Sequence, residues 1–252
     1  MRFLHSLLAS FIALAMSGLS AAQNGTLPHR IGMIVYPGFQ NLDVFGPIDA
    51  LFFPSLDHPL NLSMIAYTLD PVSSLIPQMT SIGSTWATTI VPTHTFANPP
   101  EDLDVLFIPG GLGNRILPED HLNALTDYIR DAYPSLQYVI SVCTGSGLAA
   151  RSGILDGRNV TSNKRAWKEM TPLGPKTNWI AKARWVVDGN VWTASGVTAG
   201  IDATFAWIEE VFGKAEADRS ARGVEHIRVT DPSNDPFAEL EGAEDVPPVE
   251  PA

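Results

Sequence analysis

Short runs of consecutive apolar residues alternate with amphipathic stretches through the middle of this chain. Residues 31–36, 62–68, 104–108 and 137–142 are rich in β-branched and aromatic side chains, and each is only five to seven residues long. Runs of that length without polar alternation predict strands buried on both faces of a parallel sheet. Between them the period changes. Residues 41–53 and 118–132 read as helices, the second with Leu122, Leu125 and Ile129 on one face. Residues 185–188 and 191–194 flank Gly189-Asn190, a pair suited to a turn that needs positive φ, which predicts an antiparallel hairpin. Residues 198–212 then form a closing helix. Strand and helix in this order imply a doubly wound α/β sheet, whose sites form beyond the carboxyl ends of its strands. Three loops should meet there: residues 37–43, residues 109–115, and the turn that begins at Cys143.

The ends of the chain have a different character. Arg2 precedes an apolar stretch from Phe3 through Met16, followed by Ser17-Gly18-Leu19-Ser20-Ala21-Ala22, with small residues where a signal peptidase acts. Residues 1–22 therefore read as a secretory signal peptide, and the mature protein is expected to be exported. The apolar core is short for a membrane span. Sequons at Asn24, Asn61 and Asn159 suit a eukaryotic secretory route and mark these residues as glycosylation candidates. At the other end, residues 231–252 hold seven acidic residues and five prolines with no Lys or Arg. That composition predicts a disordered acidic tail outside a domain spanning residues 23–230. The formal net charge of −11 argues against nucleic acid or an anionic membrane as partner.

The chain has a single cysteine, Cys143, placed where the run 138–142 breaks into Thr144-Gly145-Ser146-Gly147. Small residues after a buried strand permit a tight turn into a helix, whose N-terminal amides favour the thiolate, the reactive form of the side chain. On that reading Cys143 is a nucleophile of depressed pKa; the alternative is a small hydrophobe of the core. Asp43 stands just after a strand, close to Phe39, Leu42 and Phe45. An apolar setting raises a carboxyl pKa and suits it to proton transfer, while a first-turn helix carboxylate is equally typical there. Pro109-Gly110-Gly111-Leu112-Gly113 lacks the spacing of a dinucleotide fingerprint. Amides near Gly110, Gly111 and Thr144 are candidates for oxyanion-type donors, against a purely structural tight turn.

Other chemistries fit less well. The six histidines form no pair at metal-ligand spacing, so no metal is expected. No G-x-S-x-G elbow surrounds a serine, and Ser146 and Ser195 read as structural. A Cys-His dyad would need His94, His121 or His226 brought to Cys143 by folding.

The segments 40–47 (QNLDVFGP), 104–113, 141–145 (SVCTG) and 196–202 (GVTAGID), taken in order, resemble the ThiJ/PfpI family, closest to its isocyanide hydratase branch. The resemblance covers nearly the whole domain. It implies a flavodoxin-like three-layer α/β sandwich with a mainly parallel central sheet, a homodimer, and a cofactor-independent reaction on a small molecule. It also implies Cys143 as nucleophile, Asp43 as the assisting acid, and Thr144 and Val197 at the substrate. Thr144 follows the cysteine where family proteases and glyoxalase-like members have a histidine at or near that place. Asn163 stands roughly where hydratases often carry histidine. The implied activity is hydration of an isocyanide to an N-substituted formamide, the alternative being a non-catalytic binding or redox-sensing member that uses Cys143 as an oxidisable thiol.

Overall fold

In the computed structural model, residues 26–249 are described. The signal-peptide reading and Asn24 lie outside them. Seven strands form one sheet: β1 (Arg30–Ile34), β2 (Asn61–Ala66), β3 (His94–Thr95), β4 (Val105–Ile108), β5 (Tyr138–Val142), β6 (Trp185–Asp188) and β7 (Val191–Ala194). Their spatial order is β6-β7-β5-β4-β1-β2-β3. Every pairing is parallel except the hairpin β6/β7.

The apolar runs become strands for the reason that made them legible. All five residues of β5 and all four of β4 are buried, as expected of strands covered by helices on both faces. One face carries α1 (Asn41–Phe52), α4 (Ala199–Phe212) and α5 (Lys214–Gly223); the other carries α2 (Glu119–Ala132) and α3 (Gly145–Arg151). The result is the three-layer flavodoxin-like sandwich. Trp207 and Phe205 on α4, Phe39 before α1 and Phe107 on β4 are among its largest fully buried side chains. In the hairpin, Asp188 faces Val191 across a turn in which Gly189 has φ of 61°.

The C-terminal segment departs from the disordered tail that its composition predicts. Through Val249 the chain after Asp231 lies against the domain. A short helix, α6 (Phe237–Leu240), is followed by a two-bond bridge in which Trp179 N–H donates to Val246 O at 2.9 Å and Val246 N–H donates to Trp179 O at 3.0 Å. Further bonds run from Trp167 Nε1 to Glu244 O (2.8 Å), from Ala181 N to Asp245 Oδ1 (2.7 Å) and from Arg184 N to Pro232 O (2.6 Å). The segment buries little of its own apolar surface, since Phe237 and Leu240 are exposed. It is held instead by donors the domain would otherwise leave unpaired.

The two described sequons differ. Asn61 is exposed at the start of β2, with Nδ2 donating to Pro59 O at 3.1 Å. Asn159 is exposed too, but Nδ2 donates to Asp188 Oδ2, and Thr161, which completes its sequon, is fully buried.

Candidate active site

The carboxyl ends of β1, β4 and β5 open side by side, and the three loops expected to meet are tied together. Tyr36 Oη donates to Pro109 O at 3.0 Å, and Gln40 N–H donates to Gly110 O at 2.9 Å. At the end of β5 the chain enters the left-handed region, with Cys143 at φ of 59°. For a residue with a side chain this costs on the order of 1–3 kcal/mol and persists only where the surroundings enforce it. Four bonds do so. Cys143 N–H donates to Ala194 O on β7 (3.0 Å), its carbonyl accepts from Ser146 Oγ and from Ser162 Oγ (both 3.1 Å), and Asn114 Nδ2 donates to Thr144 O (3.0 Å). Gly145 is needed next, because a Cβ there would lie 2.0 Å from Ile108 O. Ser146 and Ser162 thus serve the shape of the turn, and their mutual bond of 2.7 Å locks it.

Asp43, in the first turn of α1, is fully buried. Oδ2 accepts from Gly110 N–H at 2.9 Å, while Oδ1 is buried without a hydrogen bond of ordinary geometry. The Cys143 thiol acts on this carboxyl and pulls its pKa down. Burial pushes Asp43 up to about 7, more than the Gly110 amide and the thiol pull it down. A buried carboxylate with one oxygen free and a pKa near neutrality is suited to receive a proton and return it.

The thiol moves opposite to the sequence expectation. Burial, and then the Asp43 charge, push Cys143 up to about 12, against the Thr144 and Asn163 donors that pull it down. A helix end is worth at most about 2 kcal/mol in partly buried geometry, too little to outweigh the loss of water around the sulfur. The two groups therefore work as a neutral thiol beside a base. The same surroundings hold the buried Tyr36 phenol well above its ordinary range, by burial first and then by the charges of Asp43 and Cys143.

The glycine loop has a different task from the one expected. Gly110 N–H is committed to Asp43, and Gly111 N–H donates to Thr144 Oγ1 at 3.1 Å, so neither amide is open to a ligand. Two buried polar side chains take these donors, and burying either oxygen without a hydrogen bond would cost free energy. The donors facing the sulfur are instead the Thr144 amide and hydroxyl and the Asn163 side chain. Val197, half-buried at the head of α4, packs against the core. Asn163 stands out in the sequence only as a departure from a pattern; its proximity to Cys143 is made by the fold.

Gly110 also carries a prediction. A Cβ at this position would lie 2.6 Å from Thr144 N, 2.7 Å from Thr144 Oγ1 and 2.9 Å from Asp43 Oδ2. Gly110→Ala is expected to push these groups apart and to cost about 1–3 kcal/mol, as overpacking does. Denaturant unfolding checks it, and an unchanged midpoint would show that the loop yields freely.

His94, His121 and His226 have partners elsewhere: Thr93 Oγ1 at 2.9 Å, the Tyr67 ring at 3.7 Å between centroids, and Asp202 at 2.8 Å. The pairing at the sulfur is Cys with Asp. The sequence profile of the DJ-1/PfpI family matches residues 29–210, the span that contains all three loops.

The chain belongs to the DJ-1/PfpI family. It is 36% identical to the isonitrile hydratase of Pseudomonas putida over 185 residues, covering 73% of this chain and 72% of that protein. An uncharacterised Streptomyces lividans protein is 28% identical over 148 residues, 58% of this chain and 93% of its own. Among solved structures, a ThiJ/PfpI family protein from Pseudomonas syringae superposes with a TM-score of 0.65 at 28% identity, covering 93% of each chain. Drosophila melanogaster DJ-1beta superposes at 0.64 with 18% identity, over 80% of this chain and all of its own, and shares the fold.

Proposed function

We propose that this DJ-1/PfpI family member is an isonitrile hydratase-like hydro-lyase that acts on a small molecule without a cofactor, as an exported homodimer. The observation that carries the reading is the buried Asp43 carboxyl, with Oδ1 unpaired, against the thiol of Cys143 on its strained turn. The name of the Pseudomonas putida relative supports the substrate class. Export rests on the apolar run and small residues of positions 1–22. The exposed Leu42, Phe45 and Phe52 on α1 support self-association, since a helix face of this kind beside a site invites cover.

The chemistry balances without an oxidant or reductant. The sulfur attacks the terminal carbon of R–N≡C while Asp43 takes the thiol proton and delivers it to that same carbon. A C–S and a C–H bond form, giving the thioimidate R–N=CH–S. Water then adds to this carbon, one of its protons passing through Asp43 to the nitrogen. The C–S bond breaks, the thiol regains its proton, and R–NH–CHO leaves. Two moderate barriers replace one high one. A group near pH 7 serves both as base and as acid in this sequence, which is the value Asp43 has.

A redox-sensing role suits the site less well. Oxidation follows thiolate character and exposure, and Cys143 is buried with its thiol held neutral.

The test is direct. Mature protein incubated with an alkyl isocyanide such as cyclohexyl isocyanide is expected to release N-cyclohexylformamide, seen by gas chromatography and mass spectrometry, and Cys143→Ala is expected to reduce release to the uncatalysed level. Folded protein with a free thiol that yields no formamide from a panel of alkyl and aryl isocyanides would sink the assignment.

A further inference from the structure

The loop 161–164 is tied to Cys143. Ser162 Oγ donates to its carbonyl at 3.1 Å, and the Asn163 side chain pulls the thiol's pKa down. The Asn163 amide is oriented, because Oδ1 accepts from Ala166 N–H at 3.1 Å and leaves the NH₂ end for the site. That nitrogen lies 3.9 Å from where a Cβ on Gly196 would stand, at the mouth of the loop after β7.

The next residue anchors the loop. Lys164 Nζ is 1% exposed and donates to Thr161 Oγ1 (2.6 Å), Ser162 O (3.0 Å) and Ala183 O (3.0 Å). It also stands 4.9 Å over the Trp167 ring. Its charge is balanced by Asp235 Oδ2 at 3.1 Å, equally buried, which further accepts from Ser195 Oγ at 3.0 Å, while Asp235 Oδ1 accepts from Phe237 N–H at 3.0 Å. Asp235 belongs to the acidic C-terminal segment. A buried lysine without that partner would be driven out of this position or lose its proton, and three acceptors of the 161–183 region would lose their common donor.

We propose that the C-terminal segment is a positioning element of the active site: Asp235, through Lys164, holds the loop 161–164, so that Ser162 clamps the Cys143 carbonyl and Asn163 is kept beside the turn as a donor toward the sulfur. A preoriented donor gains strength as the sulfur becomes negative and needs no rearrangement at the moment of attack. The Asp43 charge disfavours charge on the sulfur. Thr144 Oγ1 is already shared with the Gly111 amide and carbonyl. Asn163 is thus the side-chain donor with a free N–H for the developing thiolate. The inference rests on Cys143 as the reacting group and not on which substrate it meets.

Alkylation of Cys143 by iodoacetamide, followed by intact mass between about pH 6 and 10, reads the thiolate directly. The sulfur displaces iodide, and the thiol proton passes to Asp43 or water. Asn163→Asp keeps the acceptor that caps Ala166, removes the donor and adds a like charge, and is expected to slow alkylation at pH 8 by more than about tenfold. Asn163→Ala, which adds no charge, isolates the donor and is expected to slow it about tenfold, the worth of one hydrogen bond to a charged group. The paired change Lys164→Met with Asp235→Leu removes both charges together and is expected to slow alkylation at least about threefold, with lower kcat on an isocyanide and unchanged KM. Added to Asn163→Ala it should bring little further loss, because both act through one loop. Asp235→Asn, which removes the charge, keeps the acceptor for Phe237 N–H and turns an NH₂ group toward Ser195 Oγ, gives the same readout in a gentler background. Wild-type alkylation by Asn163→Ala would remove Asn163 as donor. Wild-type alkylation by folded paired and Asp235→Asn variants would reduce the segment to a structural strap. No substrate enters this reaction, so alkylation rates decide the positioning role even where no isocyanide is hydrated.

Discussion

Asp43→Asn is expected to lower turnover by about a hundredfold or more while making the protein more stable at pH 8. Asparagine retains an acceptor for the Gly110 amide, now made to Asp43 Oδ2 at 2.9 Å, but it takes no proton from the thiol. The stability gain follows from the raised carboxyl. Asp43 is near 7 in the folded protein and near 3.8 when unfolded, so the folded state holds its proton more tightly. Stability from this group is complete below about pH 4 and is lost as pH rises through about 7. At pH 8 the wild type bears the full cost of a buried carboxylate, up to about 4 kcal/mol at about 1.36 kcal/mol per pH unit, and the variant does not. A rise in Tm of several degrees at pH 8 that disappears toward pH 4 is the expected pattern, at about 2–4 °C per kcal/mol for a chain of this size.

The thiol should respond in the opposite sense to turnover. The Asp43 charge is one of the forces holding Cys143 near 12, so its removal lets the thiolate form at lower pH and alkylation at pH 9 becomes faster. Slower catalysis, higher stability and a more reactive thiol together separate a proton-transfer group from a helix carboxylate. Unchanged turnover would reduce Asp43 to the latter.

The strands and the tight turn at Cys143 are legible in the sequence because each rests on a local pattern. Buried parallel strands need uninterrupted apolar residues, and a thiol at a strand end followed by Thr144-Gly145 needs the tight turn that the structure contains. The strand expected over 31–36 ends at Ile34, since Val35 and Tyr36 already belong to the loop that carries the site. What local pattern does not convey is competition between distant groups. Gly110 and Gly111 look like open donors, yet Asp43 and Thr144, 67 and 33 residues away, claim their amides. The direction of the thiol's pKa is hidden for a related reason: the helix end is visible in the sequence, but the depth of burial that outweighs it is not. The acidic tail is the sharpest case. Its composition correctly implies little apolar burial of its own, and its order comes from unpaired donors and a buried ammonium on residues 164–184.

Truncation after Thr230 should therefore be far from silent. It removes Asp235 from Lys164, and breaking a buried pair by deleting one partner costs about 3–5 kcal/mol. It also strips the Val246 bridge from Trp179 and the Glu244 carbonyl from Trp167, two tryptophans that are otherwise buried. Against a total stability of about 5–15 kcal/mol, the expected result is a Tm lower by at least about 10 °C or failure to accumulate as folded protein. Part of this loss is chemically specific and recoverable. Lys164→Met in the truncated chain removes the stranded ammonium while keeping a long apolar side chain beside Trp167, and it should restore a substantial share of the lost stability, whereas the same substitution in the full chain strands Asp235 and destabilises. That reversal of sign is the decisive readout, obtained from four thermal melts. If truncation shifts Tm by less than about 3 °C, or if Lys164→Met destabilises both chains alike, the segment is an incidental cover and Asp235 has no hold on the loop that carries Asn163.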